Sequence, residues 1–338
     1  MTTSVTVRVP AKINLQLAVG PLRPDGYHDL VTVFHAVSLS DEVTVAPAGT
    51  DSVAVSGEGS SEVPADDDNL ALRAVRALRA KTGITGGVRV SISKRIPVAA
   101  GMAGGSADAA GALVACDELW GTGLSAADLS SVAAQLGSDV PFALLGGTVV
   151  GRGRGEQLSS LPGGRPPVPP GARPMEEQGY RPRALPGGRP PVPPGARPVP
   201  AYHWVLAYAD GNLSTPLVYK TLDQLREGRD VPAPELSNEL VEALRAGDPG
   251  RLGQALGNDL QAPALTLFPA LRETLATGRA LGALGALVSG SGPTCFFLAR
   301  DTEHAAGLAA QLSAAGVCRS ATTATGPAAG ASVADRKA

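Results

Sequence analysis

The sequence predicts a layered α+β or α/β fold, not a helix bundle, and three observations carry this. Its 338 residues correspond to about two domains at ~150 residues each. Alternating apolar segments recur between helical patterns, so strands and helices are interspersed. Hydrophobic residues make up 43% of the chain, enough to bury one substantial core or two smaller ones facing a cleft.

Taken in order, Val5, Val7 and Val9 alternate with Thr6 and Arg8, the period-two pattern of a strand. Val43-Thr-Val45, Val53-Ala-Val55 and Val88-Arg-Val90-Ser-Ile92 repeat it, with glycine and aspartate turns between them. Helical spacing covers 70–80, 108–119 and 126–136, the last with Ser125 as N-cap and Gly137 just past its end. Residues 161–198 differ in kind. The string LPGGRPPVPPGARP occurs at 161–174 and again at 185–198, and 13 prolines and 7 glycines in this stretch leave no apolar face. It reads as a disordered, duplicated insertion between an N-terminal domain (1–160) and a C-terminal one (199–325). Beyond it, 204–208 reads as a strand, and 217–225, 239–245, 251–256 and 270–281 as helices. Residues 285–289 and 294–298 form a hairpin around Ser289-Gly-Ser-Gly-Pro293, and the Ala/Gly-rich tail, 326–338, is expected to fray.

Charge and cysteine content exclude several classes. With 29 Lys and Arg against 31 Asp and Glu, the net charge of −2 does not suit nucleic-acid binding by bulk electrostatics. Cys116, Cys295 and Cys318 lie far apart without a C-x-x-C pair, which excludes a disulfide framework or zinc knuckle and fits a reducing compartment. The N-terminus has no signal-peptide pattern, so a cytoplasmic location without membrane partners is expected. The uncharged run 280–299 is long enough to span a bilayer, but the glycine turn in its middle would break the helix.

The chemistry-bearing segment is Pro97-Val-Ala-Ala-Gly101-Met-Ala-Gly104-Gly105-Ser106-Ala-Asp108. A strand leads into a glycine-rich loop and then an alanine-rich helix, an arrangement that offers successive N–H groups to a phosphate. Its bland alternative is a plain glycine loop capped by Ser106. The spacing is neither G-x-x-x-x-G-K-[ST] nor G-x-G-x-x-G, so Walker-type and dinucleotide-binding loops are excluded. Asp108 would repel a triphosphate unless it turns away or a cation intervenes; Mg²⁺, with the Ser106 hydroxyl as a ligand, would answer that. Three further pieces are candidates. Lys12, in Pro10-Ala-Lys-Ile-Asn14-Leu, is a charge among apolar residues. Tyr27-His28 displays two rings on a turn suited to a flat base. Asp139, in Gly137-Ser-Asp-Val-Pro-Phe, is a carboxylate between two helices whose default role is a cap.

In this order PAKINL, DGYHDLVTVF, the glycine loop, GSDVPF and the late SGSGPT resemble the GHMP small-molecule kinases, over essentially the whole chain except 161–198. The resemblance implies an α+β, two-domain fold: an N-terminal ribosomal-protein-S5-like α/β domain and a C-terminal ferredoxin-like α+β domain. It also implies phosphoryl transfer from ATP, with Mg²⁺, to the 2-hydroxyl of a methylerythritol carrying cytidine diphosphate, by a monomer or homodimer. By position, Lys12 and Asp139 match a catalytic pair, and Gly101, Gly104, Gly105 and Ser106 the phosphate loop. Asn69 and Lys94 match adenine-side positions. Asn14, Tyr27, His28, Thr215 and Tyr219 match substrate positions, the base lying between Tyr27 and Tyr219. Where the family more often reads G-L-G-G-G-S-S, Met102, Ala103 and Ala107 stand instead, so a methyl group at 103 requires a compatible φ. A homoserine- or mevalonate-type kinase of the same superfamily, a catalytically silent nucleotide-binding module and a scaffold built on the Pro/Arg segment are the alternatives.

Overall fold

The structure, a computed structural model, describes residues 3–161 and 201–337. Nearly all of the Pro/Arg duplication therefore lies outside the described residues.

The N-terminal half is built on two long strands, β1 (Ser4–Leu22) and β2 (His28–Ala48), paired antiparallel along almost their whole length. Val5, Val7, Val9, Ala11, Ile13 and Leu15 all point into the core, and a bulge after Asn14 shifts the alternation so that Leu17 and Val19 join the core of the second half. β3 (Ser52–Gly57), α1 (Leu70–Thr82) and β4 (Gly87–Lys94) follow. The upper part of β2 pairs with β4, and β3 lies outside β4. Next come α2 (Gly104–Trp120), α3 (Ala126–Leu136), α4 (Val140–Leu145), β5 (Thr148–Gly153) and β6 (Gln157–Ser160), with β5 pairing to the lower part of β2. Ser125 caps α3 as expected, its side chain accepting from the Asp128 amide. Helix α2 rides close on the sheet because its residues are small; a Cβ at Gly111 would lie 2.7 Å from Val43 and 2.8 Å from Val9.

The C-terminal half contains β7 (Tyr202–Tyr208), α5 (Thr215–Arg226), α6 (Asn238–Ala246), α7 (Pro249–Ala255), β8 (Gly257–Asn258), α8 (Gln261–Leu267), α9 (Leu271–Ala280), β9 (Gly285–Val288), β10 (Cys295–Ala299), α10 (Thr302–Ala314), β11 (Ser320–Gly326) and β12 (Ser332–Lys337). Four of the strands form an antiparallel sheet in the order β11-β7-β10-β9. That is the βαββαβ strand order of a ferredoxin-like domain. The uncharged stretch forms strands β9 and β10, as its glycine turn implied, and among the described residues no helix is long and apolar enough to cross a membrane.

The tail corrects the sequence reading. Instead of fraying, residues 332–337 form β12 and pair antiparallel with β1, from Ser4 opposite Lys337 to Arg8 opposite Ser332. An edge strand with free N–H and C=O groups recruits even a largely polar partner such as Ser-Val-Ala-Asp-Arg-Lys, because the pairing is made by backbone. Strand β8 likewise pairs with β1, in parallel, at Gln16 and Leu17. The second half thus joins the first sheet through both β8 and β12.

Candidate active site

Strand alternation sets the cleft. While Ala11 and Ile13 face the core, Lys12 and Asn14 face the other way, into the cleft, and a bulge after Asn14 then puts Leu17 on the cleft side. Lys12 Nζ donates to Asn14 Oδ1 (2.7 Å), Asn14 Nδ2 donates to Thr32 Oγ1 (2.8 Å), and Thr32 Oγ1 donates to the Gln16 carbonyl (2.7 Å). This chain of bonds fixes the ammonium. Asp139 Oδ2 lies 3.9 Å from it across the cleft. Asp139 stands at the N-cap position of α4, yet its carboxylate makes no capping bond, so it remains available to the cleft. Burial lowers the Lys12 ammonium below the usual lysine range, and attraction to Asp139 only partly offsets that.

The glycine loop enters the same cleft. Gly101, Gly104, Gly105 and Ser106 all line it with Lys12 and Asp139, in a cavity of about 1270 Å³. Helix α2 starts at Gly104 with no side-chain cap; Ser106 is therefore not the cap that the bland reading expected. Ala103 holds φ 59, a left-handed conformation that disfavours its methyl group, as does Ala99 at φ 50. Gly101, at φ 74, has a second constraint: a Cβ there would lie 2.1 Å from the Ser289 carbonyl. The turn between β9 and β10 is thus packed onto the loop, and Ser289 Oγ donates to the Gly101 carbonyl (3.0 Å).

The side chains of the two residues expected on the adenine side, Asn69 and Lys94, are engaged within the protein. Asn69 is buried as the N-cap of α1: its Oδ1 accepts from the Ala71 amide (2.9 Å) and its Nδ2 donates to the Pro64 carbonyl (2.7 Å). Lys94 is sealed beneath the loop, its Nζ paired with Asp41 Oδ2 (2.5 Å) and Asp108 Oδ2 (2.8 Å). Neither side chain lines the cleft. Spacing places both near the loop but cannot say which side of the backbone they occupy. The same triad resolves the Asp108 difficulty: the carboxylate turns inward, and burial pushes it up to about 7 against the opposing pull of Lys94.

At the far end of the cavity, the His28 ring stacks on Tyr219, with centroids 5.4 Å apart and planes 25° apart. His28 Nδ1–H donates to the Gly20 carbonyl (2.9 Å), and Nε2 lies 3.3 Å from Asp223 Oδ1. Both ring nitrogens face protein acceptors. Tyr27 is half exposed at the rim with the Arg154 guanidinium 5.1 Å over its ring. The structure thus sets His28 directly against Tyr219 and leaves Tyr27 at the rim of the same cavity. Thr215 Oγ1 hydrogen-bonds Ser291 Oγ (2.8 Å), and Asn14, the remaining expected substrate residue, has its amide committed to Lys12 and Thr32. Residue-by-residue reasoning missed Gly290, Phe34 and Asp223. The first two lie in quoted motifs, SGSGPT and DGYHDLVTVF; a Cβ on Gly290 would lie 3.2 Å from Lys12 Nζ, and Phe34 places its ring 5.8 Å from the same atom. No sequence signal marks Asp223.

Known proteins are similar to this chain in sequence and in fold. Residues 69–147 match the family described as GHMP kinases N terminal domain, and 240–318 match GHMP kinases C terminal. The chain is 51% identical over 330 residues to a 4-diphosphocytidyl-2-C-methyl-D-erythritol kinase of Streptomyces avermitilis, covering 98% of this chain and 99% of that one. It is 52% identical over 339 residues to a protein of the same description from Thermobifida fusca, covering 98% of each. Among solved structures, a 4-(cytidine 5'-diphospho)-2C-methyl-D-erythritol kinase superposes with TM-score 0.68 at 34% identity, covering 94% of this chain and 98% of the other. A homoserine kinase from Cytophaga hutchinsonii reaches the same TM-score at 18% identity, covering 98% of both, which shows a shared fold.

Proposed function

This chain belongs to the GHMP kinases, and from that premise we propose that it transfers the γ-phosphoryl group of ATP to the 2-hydroxyl of 4-diphosphocytidyl-2-C-methyl-D-erythritol, a step of non-mevalonate isoprenoid precursor biosynthesis. One observation carries the reading: an ammonium, a carboxylate and an uncapped glycine loop at a helix start share one cavity.

Phosphoryl transfer runs through a loose transition state, so the protein's task is positioning and charge stabilisation. The N–H groups of 101–106 and the head of α2 receive the phosphates of ATP. The acceptor oxygen bonds to the γ-phosphorus as the bond to the ADP oxygen breaks, and Asp139 takes the hydroxyl proton. Lys12, held by Asn14, offsets charge on the transferring group. Because Lys12 is buried and Asp139 partly solvated, orientation of the hydroxyl contributes more than early deprotonation.

Magnesium fits this site sparingly. Ser106 brings a hydroxyl to the cleft at the head of α2 and Asp139 faces it, while Asp108 is turned away; no cluster of three or more His, Cys, Asp or Glu side chains suited to a metal occurs among the described residues. Mg²⁺ would be held mainly by the nucleotide, with Ser106 its nearest side-chain ligand, and would supply neutralisation of phosphate charge. At the other end, the stacked His28 and Tyr219 supply a flat apolar surface for the cytosine, with Tyr27 at the rim. We place the enzyme in the cytoplasm, as a monomer or homodimer.

The test is ADP release from Mg-ATP by purified protein over a panel of alcohols. Turnover is expected with the cytidylylated methylerythritol and not with homoserine or mevalonate; preference for either of the latter would overturn the substrate assignment.

A further inference from the structure

Three charged side chains beneath the loop take no part in the mechanism above. Lys94 ends β4, Asp41 sits on β2 and Asp108 lies one turn into α2; the side chains are 1%, 0% and 4% exposed. Asp41 uses its second oxygen to accept from the Arg95 and Ile96 amides, at 2.6 and 2.8 Å. It therefore grips the chain where the strand turns into the loop. Lys94 supports the loop from beneath: a Cβ on Gly104 would lie 3.1 Å from Nζ.

An ion pair of Lys94 with Asp41 alone would achieve that support with balanced charge. Asp108 adds a second carboxylate, and its Oδ1 has no hydrogen-bond partner among the described residues. Such a group costs stability unless something else retains it. Its place explains what it does. It lies under the N-terminal turn of α2, on the far side of the backbone from where the phosphates of ATP bind, and buried charge is weakly screened.

We propose that Asp41, Lys94 and Asp108 are positioning residues for the nucleotide, Lys94 bracing the phosphate loop while Asp108 weakens the loop's hold on polyphosphate. A loop of N–H groups at a helix start attracts ADP as well as ATP. Ionised Asp108 puts negative charge beneath it and loosens both, which favours release of the product. The inference rests on the assignment of the loop to ATP and is independent of the acceptor alcohol.

Calorimetric titration of ATP and of ADP into the full chain at about pH 8.5, where Asp108 is ionised, tests this, with steady-state kinetics alongside. Asp108→Asn keeps the shape and removes the charge. It is expected to bind both nucleotides about threefold or more tighter, with KM for the alcohol unchanged. Lys94→Met leaves two carboxylates uncompensated and is expected to weaken ATP about tenfold; adding Asp108→Asn to it should restore most of that loss. A merely structural triad would not tighten nucleotide on losing a member. Nucleotide affinity in Asp108→Asn equal to or below that of the native chain would overturn the proposal, even if Lys94→Met fails to fold. Failure of the native chain to bind ATP would instead remove the loop assignment on which the proposal stands.

Discussion

Replacing Lys12 by methionine should separate stability from turnover. The ammonium is nine-tenths buried, donates one hydrogen bond to a neutral amide and meets its carboxylate only at 3.9 Å. Burying an ion costs several kcal/mol. Against this, the bond to Asn14 returns about 1.5–3 kcal/mol, and the pairing with Asp139 at most about 4 kcal/mol at an effective dielectric of ~20. The terms nearly cancel, and the lowered ionisation of Lys12 says that burial wins. Methionine removes the penalty, keeps the volume and leaves Asn14 Oδ1 without its donor, at about 1 kcal/mol. Net stability is thus expected to be unchanged or to rise by about 1 kcal/mol, a shift of no more than ~3 °C in Tm. The pH dependence has a definite sign. The unfolded chain holds the Lys12 proton more tightly than the folded one, so the penalty is full below the lowered folded range, fades as pH rises above it, and is gone once pH passes the ordinary lysine range. Any gain in Lys12→Met should fade with it. Turnover should fall about 10³-fold, as when a preorganised charge at a developing anion is removed. Calorimetric melting at pH 7 and 10, with single-turnover kinetics, measures both. A fall in Tm of more than ~4 °C, or turnover within tenfold of native, would refute the reasoning.

Other substitutions test neighbouring parts of the site. Asp139→Asn should lose about 10²-fold or more in kcat with little change in KM, read by steady-state kinetics. Gly101→Ala adds a Cβ 2.1 Å from the Ser289 carbonyl in a left-handed residue, and should cost about 2–5 kcal/mol in denaturant unfolding and raise KM for ATP. Ala103→Gly relieves a methyl at φ 59 and should raise stability by up to about 1 kcal/mol without lowering kcat. Tyr219→Ala removes the ring stacked on His28 and should raise KM for the cytidylylated alcohol about tenfold or more, leaving KM for ATP unchanged.

What the sequence discloses here follows from what its patterns encode. The alternation at Val5, Val7 and Val9 continues through Lys12 and Asn14, so both the strand and the side of it that carries the ammonium were readable before any coordinates. The glycine loop was readable too, because only small residues permit a turn of that shape beside another backbone. Asn69 and Lys94 were not. Their distance along the chain from the loop fixes neighbourhood, whereas whether a side chain reaches a ligand depends on what the fold offers it instead: the turn at Pro64 and the start of α1 for Asn69, and Asp41, 53 positions away, for Lys94. Strand β12 escaped for a related reason: the tail has no strong period of its own, and pairing with the edge of β1 is supplied by backbone groups more than 300 positions away. His28 against Tyr219 joins β2 to α5 across the cleft, a contact that no local pattern predicts.

The proposed transfer requires Lys12 and Asp139 to work as one unit on the phosphoryl group. A double-mutant cycle in single-turnover kinetics, comparing Lys12→Met, Asp139→Asn and the two combined, tests it most directly. Interdependent groups predict that the combined variant is little slower than the slower single one. Losses that multiply in full would contradict the claim, since each residue would then act without the other.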